Sequence, residues 1–224
     1  MKKISICVPV FNKWNFTKSC LNDLSKLPND HEIIIIDNAS SDETQSQLVN
    51  STEIIYHRND NNLGFGKACN IGYSLSTAEN VLFLNNDIRV KSNYDNWTKI
   101  LIDNCEDALV GPTMGLLDNK LNFVKEENKF LTGNSYMSGW CIAGSKKIWK
   151  LLDISNNEIF SEDFFCYFED TDLSFRAREK NINFKVVDIP VIHFGKISSK
   201  QLNTFFLYKE AQKIFIKKWN KLIK

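Results

Sequence analysis

Residues 32–44 read EIIIIDNASSDET, and this stretch decides the fold class. The four consecutive isoleucines predict a buried strand, because strands covered on both faces read as continuous apolar runs. The polar run that begins at Asp37 ends this strand, and residues 40–49 are predicted to form a short helix. A buried strand that leads directly into a helix is typical of an α/β protein.

The same alternation of strand and helix extends in both directions through the first half of the chain. Apolar runs predict further strands at residues 4–9, 53–56 and 80–84. Helical spacing of apolar side chains predicts helices at residues 15–27 and 66–76. We therefore expect a mostly parallel central sheet with helices on both faces.

The second half has a less regular pattern. It predicts helices at residues 97–104, 145–152, 170–180 and 199–221, strands at residues 108–111, 184–187 and 191–194, and a polar loop or hairpin at residues 118–134. At about 150 residues per domain, a chain of 224 residues is expected to form one domain.

The composition, 43% hydrophobic and 25% charged, is that of a globular protein and excludes a disordered or collagen-like chain. A net charge of +1 gives no reason to expect nucleic-acid binding. The six cysteines contain no CxxC pair, so we expect free, mostly buried thiols and a cytoplasmic location. No apolar run approaches the roughly 18 residues of a membrane span.

Polar residues follow the ends of the predicted parallel strands, where such sheets bind ligands. They are Pro9, Phe11 and Asn12 after the first strand, Asp37 and Asn38 after the second, and Asn85, Asn86 and Asp87 after the fourth. A carboxylate at position 37 could accept the imide N–H of uracil or thymine. The alternative for Asp37 and Asp42 is capping of the helix that follows.

The triplet Asn85-Asn86-Asp87 presents oxygen ligands together at the end of an apolar strand. Mg²⁺ and Mn²⁺ prefer such ligands and usually retain water and diphosphate oxygens as well. The sequence therefore predicts a divalent-cation site here.

A glycine-containing loop with the sequence NLGFGKACN at residues 62–70 opens the third helix and contains Gly64 and Lys67. It lacks the GxxxxGK[ST] spacing of a P-loop. It is either a phosphate-facing loop or an ordinary tight turn before a helix.

The segment YFEDTDL at residues 167–173 places three acids next to an aromatic wall. Carboxylates held together with little water can have a raised pKa and act as a general base. The alternative is helix capping by Asp170 and Asp172, and we expect one of them to cap and the other to do chemistry.

His193 follows a predicted strand and precedes the segment 196–200, which contains two lysines and two serines able to meet phosphate. It is either a metal or phosphate ligand or a packed core histidine.

The order of these motifs resembles the family 2 glycosyltransferases of the GT-A fold, and in particular their rhamnosyltransferase-like branch. The motifs are VPVFN (8–12), IIIIDNASSDET (33–44), NLGFGKACNIG (62–72), VLFLNND (81–87), FFCYFEDTDLSFRA (164–177) and VIHFGKISS (191–199). The resemblance implies a metal-dependent, inverting transfer of a sugar from a UDP- or dTDP-linked donor. The acceptor would be a hydroxyl of a glycan or of a lipid-linked molecule, as in polysaccharide biosynthesis.

The resemblance also implies roles for individual residues. Asp170 would be the catalytic base, with the adjacent Glu169 as the other candidate. Asp87 would bind Mn²⁺ or Mg²⁺, and His193 would reach the metal or the diphosphate. The donor would contact Pro9, Phe11, Asn12, Asp37, Asn38, Gly64, Lys67, Asn85, Asn86 and a loop containing Gly139, Trp140 and Cys141. Asn85 replaces the usual first acid of the DxD motif, which leaves one negative charge fewer for the metal.

The expected division is a nucleotide-binding half (1–90), an acceptor and catalytic half (91–198) and a basic terminal helix (199–224). From residue 196 onward there are eight lysines and one acid, Glu210. The row Lys209, Lys213, Lys217 and Lys221 lies on one helix face, and the row Ala211, Phe215, Trp219 and Leu222 on another. The basic row is either a solvated face or a contact with anionic membrane at its inner surface.

Three other functions compete with transfer. A sugar nucleotidyltransferase needs a glycine-rich basic loop after the first strand, where this chain has Phe11-Asn12-Lys13-Trp14. A glycoside hydrolase uses two carboxylates but needs no metal or nucleoside site. A non-catalytic module that binds sugar nucleotides or glycans is the third, and Asn85 is the reason to consider it.

Overall fold

A computed structural model describes residues 3–91, 94, 96–195 and 204–221. Its strands are β1 (Ile4–Val10), β2 (His31–Asp37), β3 (Ile55–Arg58), β4 (Asn80–Leu84), β5 (Ile88–Val90), β6 (Ala108–Gly111), β7 (Met114–Leu117), β8 (Phe123–Glu127), β9 (Ser135–Met137), β10 (Cys141–Ser145), β11 (Asn183–Val186) and β12 (Val191–His193). Its helices are α1 (Trp14–Leu24), α2 (Thr44–Leu48), α3 (Phe65–Leu75), α4 (Thr98–Ile102), α5 (Lys146–Leu152), α6 (Glu169–Glu179) and α7 (Thr204–Trp219).

A seven-stranded sheet in the order β11-β6-β10-β4-β1-β2-β3 forms the centre. All neighbours pair in parallel except β10, which is antiparallel to both β4 and β6. The four-isoleucine strand is β2, and its register with β1 sets Val10 opposite Asp37. The prediction of a mostly parallel sheet is confirmed.

Helices cover both faces of the sheet, as predicted. On one face, Ile6 and Val8 of β1 pack in a cluster that includes Leu24 of α1 and Leu101 of α4. On the other face, Cys7 of β1 packs with side chains of α3, α5 and α6, among them Cys69, Tyr73, Trp149 and Leu173. Alternate residues of one strand therefore feed two separate cores, which is why the strand reads as continuously apolar.

Helix α3 approaches the sheet closely because it has a glycine at the contact. A side chain at Gly72 would place its Cβ 2.9 Å from the Cβ of Cys7. This packing sets the start of α3 beside the carboxyl end of β1.

The terminal helix α7 packs on its own cluster of aromatic side chains. Ala211, Phe215 and Trp219 are buried, and Phe215 and Trp219 both contact Phe175 of α6. The predicted apolar row is therefore confirmed for these three residues, whereas Leu222 and the predicted helix start at residue 199 lie outside the described residues.

The predicted elements correspond to observed ones with boundaries that differ by a few residues, but β5, β7, β9 and β10 were not predicted. Strand β10 matters most, because it is central in the sheet. The segment 118–134 was predicted as a loop or hairpin, and it contains strand β8, which pairs antiparallel with β7. These strands have only three to five residues, and in runs so short the local periodicity does not distinguish a strand from a helix or a loop.

All six cysteines are free, and only Cys166 is not fully buried, as expected. Burial raises the pKa of the Cys166 thiol above its ordinary range. No helix within the described residues is long and apolar enough to cross a membrane.

Candidate active site

A cavity of about 300 Å³ lies beyond the carboxyl ends of β1 and β4. Of the residues predicted from sequence, the following line it: Pro9, Phe11, Asn38, Gly64, Asn85, Asn86, Asp87, Gly139, Trp140, Glu169, Asp170 and His193. Asn12, Asp37, Lys67 and Cys141 are not among its lining residues. The tertiary structure thus gathers residues from distant parts of the chain around one space.

Strand β10 brings the Trp140 loop to the end of β4. Cys141 pairs with Leu84, and the amide of Asn85 donates to the carbonyl of Trp140 at 2.8 Å. The Trp140 ring lies parallel to that of His193, with centroids 4.7 Å apart and an interplanar angle of 11°. The indole therefore fixes the position of the histidine ring.

His193 faces Asp87 because β12 pairs antiparallel with β5, setting His193 opposite Ile88. The Nε2 atom of His193 lies 3.1 Å from Oδ1 of Asp87 and 3.3 Å from Nδ2 of Asn85. Oδ1 of Asp87 is buried and, besides this contact with His193, has no hydrogen-bond partner among the described residues. A histidine nitrogen and a buried carboxylate oxygen meet at one corner of the cavity.

This corner fits a divalent cation that is shared with a ligand. Carboxylate oxygen and imidazole nitrogen are suitable donors for Mn²⁺ or Mg²⁺. Within the described part of the chain, three or more His, Cys, Asp or Glu side chains do not come together in any one place as a complete metal site. The remaining ligands would have to come from water and diphosphate oxygens.

Glu169 and Asp170 begin helix α6 on the opposite part of the lining. The backbone amide of Gly139 donates to Oδ2 of Asp170 at 2.8 Å, and the Thr171 hydroxyl contacts Oδ1 at 3.3 Å. Oε2 of Glu169 is buried and has no hydrogen-bond partner in the described chain. The carboxylate of Asp170 is therefore held by hydrogen bonds at both oxygens, whereas Oε2 of Glu169 is not.

Both carboxyl groups have a raised pKa. Burial is the main cause for Glu169, and the negative charge of Asp170 raises its pKa further. Burial also raises the pKa of Asp170, but the hydrogen bonds from Gly139 and Thr171 stabilise its ionised form and oppose that rise. Asp170 is therefore the member of the pair that ionises first.

The expectation that Asp170 or Asp172 caps helix α6 is wrong. The residue before the helix is Phe168, which has a left-handed backbone with φ of 67° and no side-chain cap. Asp172 is fully buried and accepts hydrogen bonds from Arg176 at 2.9 Å and from the Trp219 indole at 2.8 Å. It ties α6 to α7 and does not reach the cavity.

The structure does not bring the Asp37 carboxylate to the cavity wall. Oδ1 accepts from the amide of Ser40 at 2.8 Å, and Oδ2 accepts from the Tyr56 hydroxyl at 2.7 Å and from the Arg58 guanidinium. Its neighbour Asn38 reaches the wall instead, and donates to the carbonyl of Gly64 at 3.0 Å. Direct contact between Asp37 and a nucleobase stays a prediction.

Asp42 confirms the capping alternative in an unexpected way. One of its oxygens accepts from the first amide of helix α1, at Trp14, at 2.9 Å, and the other from the first amide of α2, at Thr44, at 3.1 Å. One carboxylate thus serves the starts of two helices.

Two other residues predicted to contact the donor, Lys67 in the first turn of α3 and Asn12 after β1, do not line the cavity. Lys67 forms an ion pair of 3.0 Å with Glu162, and the side chain of Asn12 accepts from the amide of Ser41 at 2.7 Å. The segment 196–200 predicted to meet phosphate lies outside the described residues.

Gly64 does line the cavity, and its position requires glycine for two reasons. Its φ is +85°, a backbone conformation that residues with a side chain rarely adopt. The carbonyl oxygen of Phe165 would also lie 2.2 Å from a Cβ atom at this position, which is a severe clash. The glycine thus lets the loop before α3 approach the segment that precedes α6.

Sequence reasoning missed Glu126, Tyr136, Ser138 and Tyr167, which also line the cavity. Glu126 lies on β8, and its Oε1 accepts from the Trp140 indole at 3.0 Å. It was missed because an acid in a polar segment carries no local signal, and only the pairing of β8 with β7 brings it to the site.

The part of the chain that contains β1 to β5 matches a known family model. Residues 5–95 match the family model described as glycosyl transferase family 2. The match includes the strand-end residues Pro9, Phe11, Asn38 and Asp87.

Three solved structures resemble this chain. TarS residues 1–349 from S. aureus has 18% identity and a TM-score of 0.62, over 89% of this chain and 62% of that one. The mannosyltransferase PcManGT from Pyrobaculum calidifontis, solved with GDP-Man and Mn²⁺, has 14% identity and a TM-score of 0.60, over 83% and 54%. GalNAc-T7, solved with UDP, GalNAc and Mn²⁺, has 14% identity and a TM-score of 0.69, over 85% and 43%.

These similarities establish the fold as the GT-A fold of glycosyltransferases, in agreement with the sequence-based expectation. No curated protein sequence matches the chain. The chain spans less than two thirds of the length of each of the three structures.

Proposed function

We propose that the protein is a metal-dependent, inverting glycosyltransferase that moves a sugar from a nucleotide-diphosphate donor to an acceptor hydroxyl. The observation that carries the proposal is a single cavity lined by both the Asp87–His193 corner and the Glu169–Asp170 pair. Sugar transfer needs these two chemistries at once: stabilisation of a departing diphosphate and removal of a proton from the acceptor.

Asp87 and His193, with the Asn85 amide, would hold Mn²⁺ or Mg²⁺ together with the diphosphate. When bound, the cation supplies positive charge that stabilises the leaving nucleoside diphosphate. The stacking of Trp140 on His193 holds the imidazole in the orientation that this role needs. The replacement of an acid by Asn85 lowers the charge of the corner and favours a cation held partly by the donor.

Asp170 is proposed to accept the proton of the acceptor hydroxyl as that oxygen forms its bond to the anomeric carbon. Inversion requires attack from the face opposite the leaving diphosphate. The Gly139 amide, 2.8 Å from Oδ2 of Asp170, orients the carboxylate and keeps it ionised, so the other oxygen is the proton acceptor. The negative charge of Glu126 is expected to raise the basicity of Asp170.

The donor is proposed to be UDP- or dTDP-linked, with its nucleoside against Pro9, Phe11 and Asn38. TarS has been solved with UDP and with UDP-GlcNAc, which supports a uridine nucleotide, whereas PcManGT was solved with GDP-Man. Residues 1–90 would form the nucleotide half and residues 91–198 the acceptor and catalytic half. The rhamnosyltransferase-like branch remains a sequence-based prediction.

Thermal-shift measurements with UDP, dTDP and GDP, each with and without Mn²⁺, test the donor proposal. We expect stabilisation by UDP or dTDP only when Mn²⁺ is present, and loss of that stabilisation in Asp87→Asn. Asp60→Asn, a change of an exposed acid outside the cavity, is the matched control. Equal stabilisation by UDP with EDTA would contradict the metal assignment.

Hydrolysis and transfer from labelled donor separate the enzyme from a binding module. We expect slow release of sugar from the donor in the presence of Mn²⁺, since water can replace the acceptor. Tight, metal-dependent nucleotide binding without any turnover in the presence of acceptor glycans would favour the non-catalytic module.

We further propose that helix α7 contacts the inner face of an anionic membrane, where a glycan or lipid-linked acceptor would be presented. Its outer surface combines exposed Lys213 and Lys217 with exposed Phe206 and Ile216. Lysine beside aromatic and aliphatic side chains is typical of helices that lie in the membrane interface.

A further inference from the structure

A second cavity of about 490 Å³ adjoins the first. The two share the lining residues Glu126, Tyr136, Tyr167, Glu169 and Asp170. Its other walls come from β7, the β8 strand, the start of α6 and the first turn and a half of α7. The carboxylate proposed as the base therefore lies at the junction of two spaces.

The walls of this second cavity are rich in aromatic rings. The Tyr208 ring lies edge-to-face against Tyr167 with ring centroids 5.7 Å apart, and its centroid lies 5.2 Å from that of the Phe168 ring. Its hydroxyl donates to the carbonyl of Leu121 at 2.6 Å, which fixes the ring in place. Phe205, one turn before Lys209, is 73% exposed and completes the rim.

The polar groups of this cavity are acidic. Glu126, Glu169 and Asp170 line it, and Oε2 of Glu169, a residue only 8% exposed, has no hydrogen-bond partner among the described residues. No lysine or arginine occurs among the described residues that line it. Lys209 lies about 6 Å from the Phe205 and Tyr208 rings, where its amine donates to Gln212.

We infer that the second cavity binds an uncharged sugar ring, which is the acceptor end in the proposed transfer. Sugar rings have apolar C–H faces that pack on aromatic side chains, and hydroxyl groups that donate to carboxylates. A phosphate or another anion would meet three acidic side chains and no lysine or arginine among the described lining residues, which is unfavourable. The reacting hydroxyl would then lie beside Asp170.

That this sugar is the acceptor rests on the proposed function, but the binding of the sugar can be measured without turnover. Saturation-transfer NMR on the full chain would use a methyl glycoside of a neutral hexose and, separately, glucose 6-phosphate. The variants are Phe205→Ala, which removes an exposed ring from the cavity rim, and Phe206→Ala, which removes the adjacent ring outside the lining. UDP binding in Mn²⁺ is titrated in the same samples.

We expect the methyl glycoside to bind, glucose 6-phosphate to bind at least about tenfold more weakly, and Phe205→Ala to weaken glycoside binding about fivefold. Phe206→Ala should leave both probes unchanged, and UDP affinity should be the same in all three proteins. Tighter binding of the phosphorylated sugar, equal glycoside binding by wild type and Phe205→Ala, or no glycoside binding at all would overturn the inference. Loss of UDP binding in every sample would count against the proposed function and leave the sugar result standing.

Discussion

Two buried acidic regions of the molecule differ in their counter-charges. At the end of β2, Asp37 is paired with Arg58, and in the first turn of α6, Asp172 is paired with Arg176 and with Lys218 at 2.7 Å. Glu169 and Asp170, at the start of the same helix, have no ion pair within the described residues. A buried carboxylate with a cation is a structural tie, whereas one without a cation is held at a cost and is a candidate for a chemical role.

The first prediction tests the helix-start region. Asp170→Asn should lower turnover by about 10²–10⁴-fold, because the group that accepts the acceptor proton is lost, while UDP affinity in Mn²⁺ stays within about twofold. Initial rates with saturating donor, alongside UDP titration, check this. Glu169→Gln is the matched variant and should have the smaller effect, and the assignment is wrong if Glu169→Gln is inactive while Asp170→Asn turns over.

The second prediction tests the structural tie two residues further along. Asp172→Ala removes a fully buried carboxylate and leaves Arg176 buried without its partner, so the free energy of unfolding should fall by about 3–5 kcal/mol. Urea unfolding followed by tryptophan fluorescence measures it. Asp170→Asn, which strands no cation, serves as the comparison and should lose far less. Similar losses in both variants would remove the distinction between the two regions.

The third prediction concerns pH. Burial raises the pKa of Asp170, so its active, ionised form is lost as the pH falls through a value above the usual aspartate pKa of about 4. Below that value kcat/KM should fall about tenfold per pH unit. A pH profile of kcat/KM with Mn²⁺ held constant checks this, and the residual rate of Asp170→Asn should lack this acidic limb. An acidic limb at or below about pH 4 in the wild type would show that the raised pKa does not govern catalysis.

The fourth prediction, which has the smallest expected effect, concerns the outer surface of α7. Changing Lys213 and Lys217 to Gln should reduce flotation with anionic vesicles several-fold, because each change removes a positive charge that is attracted to anionic lipid. High salt should reduce wild-type flotation likewise, and neutral vesicles should not bind. Asp172 and the buried Trp219 are untouched, so urea unfolding should be unchanged. Equal flotation with neutral vesicles would indicate that the exposed aromatic and aliphatic side chains alone hold the helix to lipid.

Much of the cavity wall at the ends of β1, β2 and β4 was predictable, because it follows from local patterns. Strands β1, β2 and β4 read as apolar runs, and the polar residues after them meet at one edge because parallel strands end on the same side. That reasoning places Pro9, Asn38 and Asp87 at the cavity correctly. It fails for Asp37, because the strand-end rule gives the location of a residue and not the direction of its side chain.

The sequence by itself determined the order of most strands and helices, the edge of the sheet at which the cavity lies, and the motif containing Glu169 and Asp170. Only the tertiary structure decided which acids are neutralised, because Arg58 and Lys218 lie 21 and 46 positions from Asp37 and Asp172. It also placed β10 between β4 and β6, which brings Gly139 and Trp140 to the site, and it built the second cavity with α7. The local spacing of residues reveals the periodicity of helices and strands and the position of turns. Contacts between residues that are distant in sequence are set only by the packing of the fold.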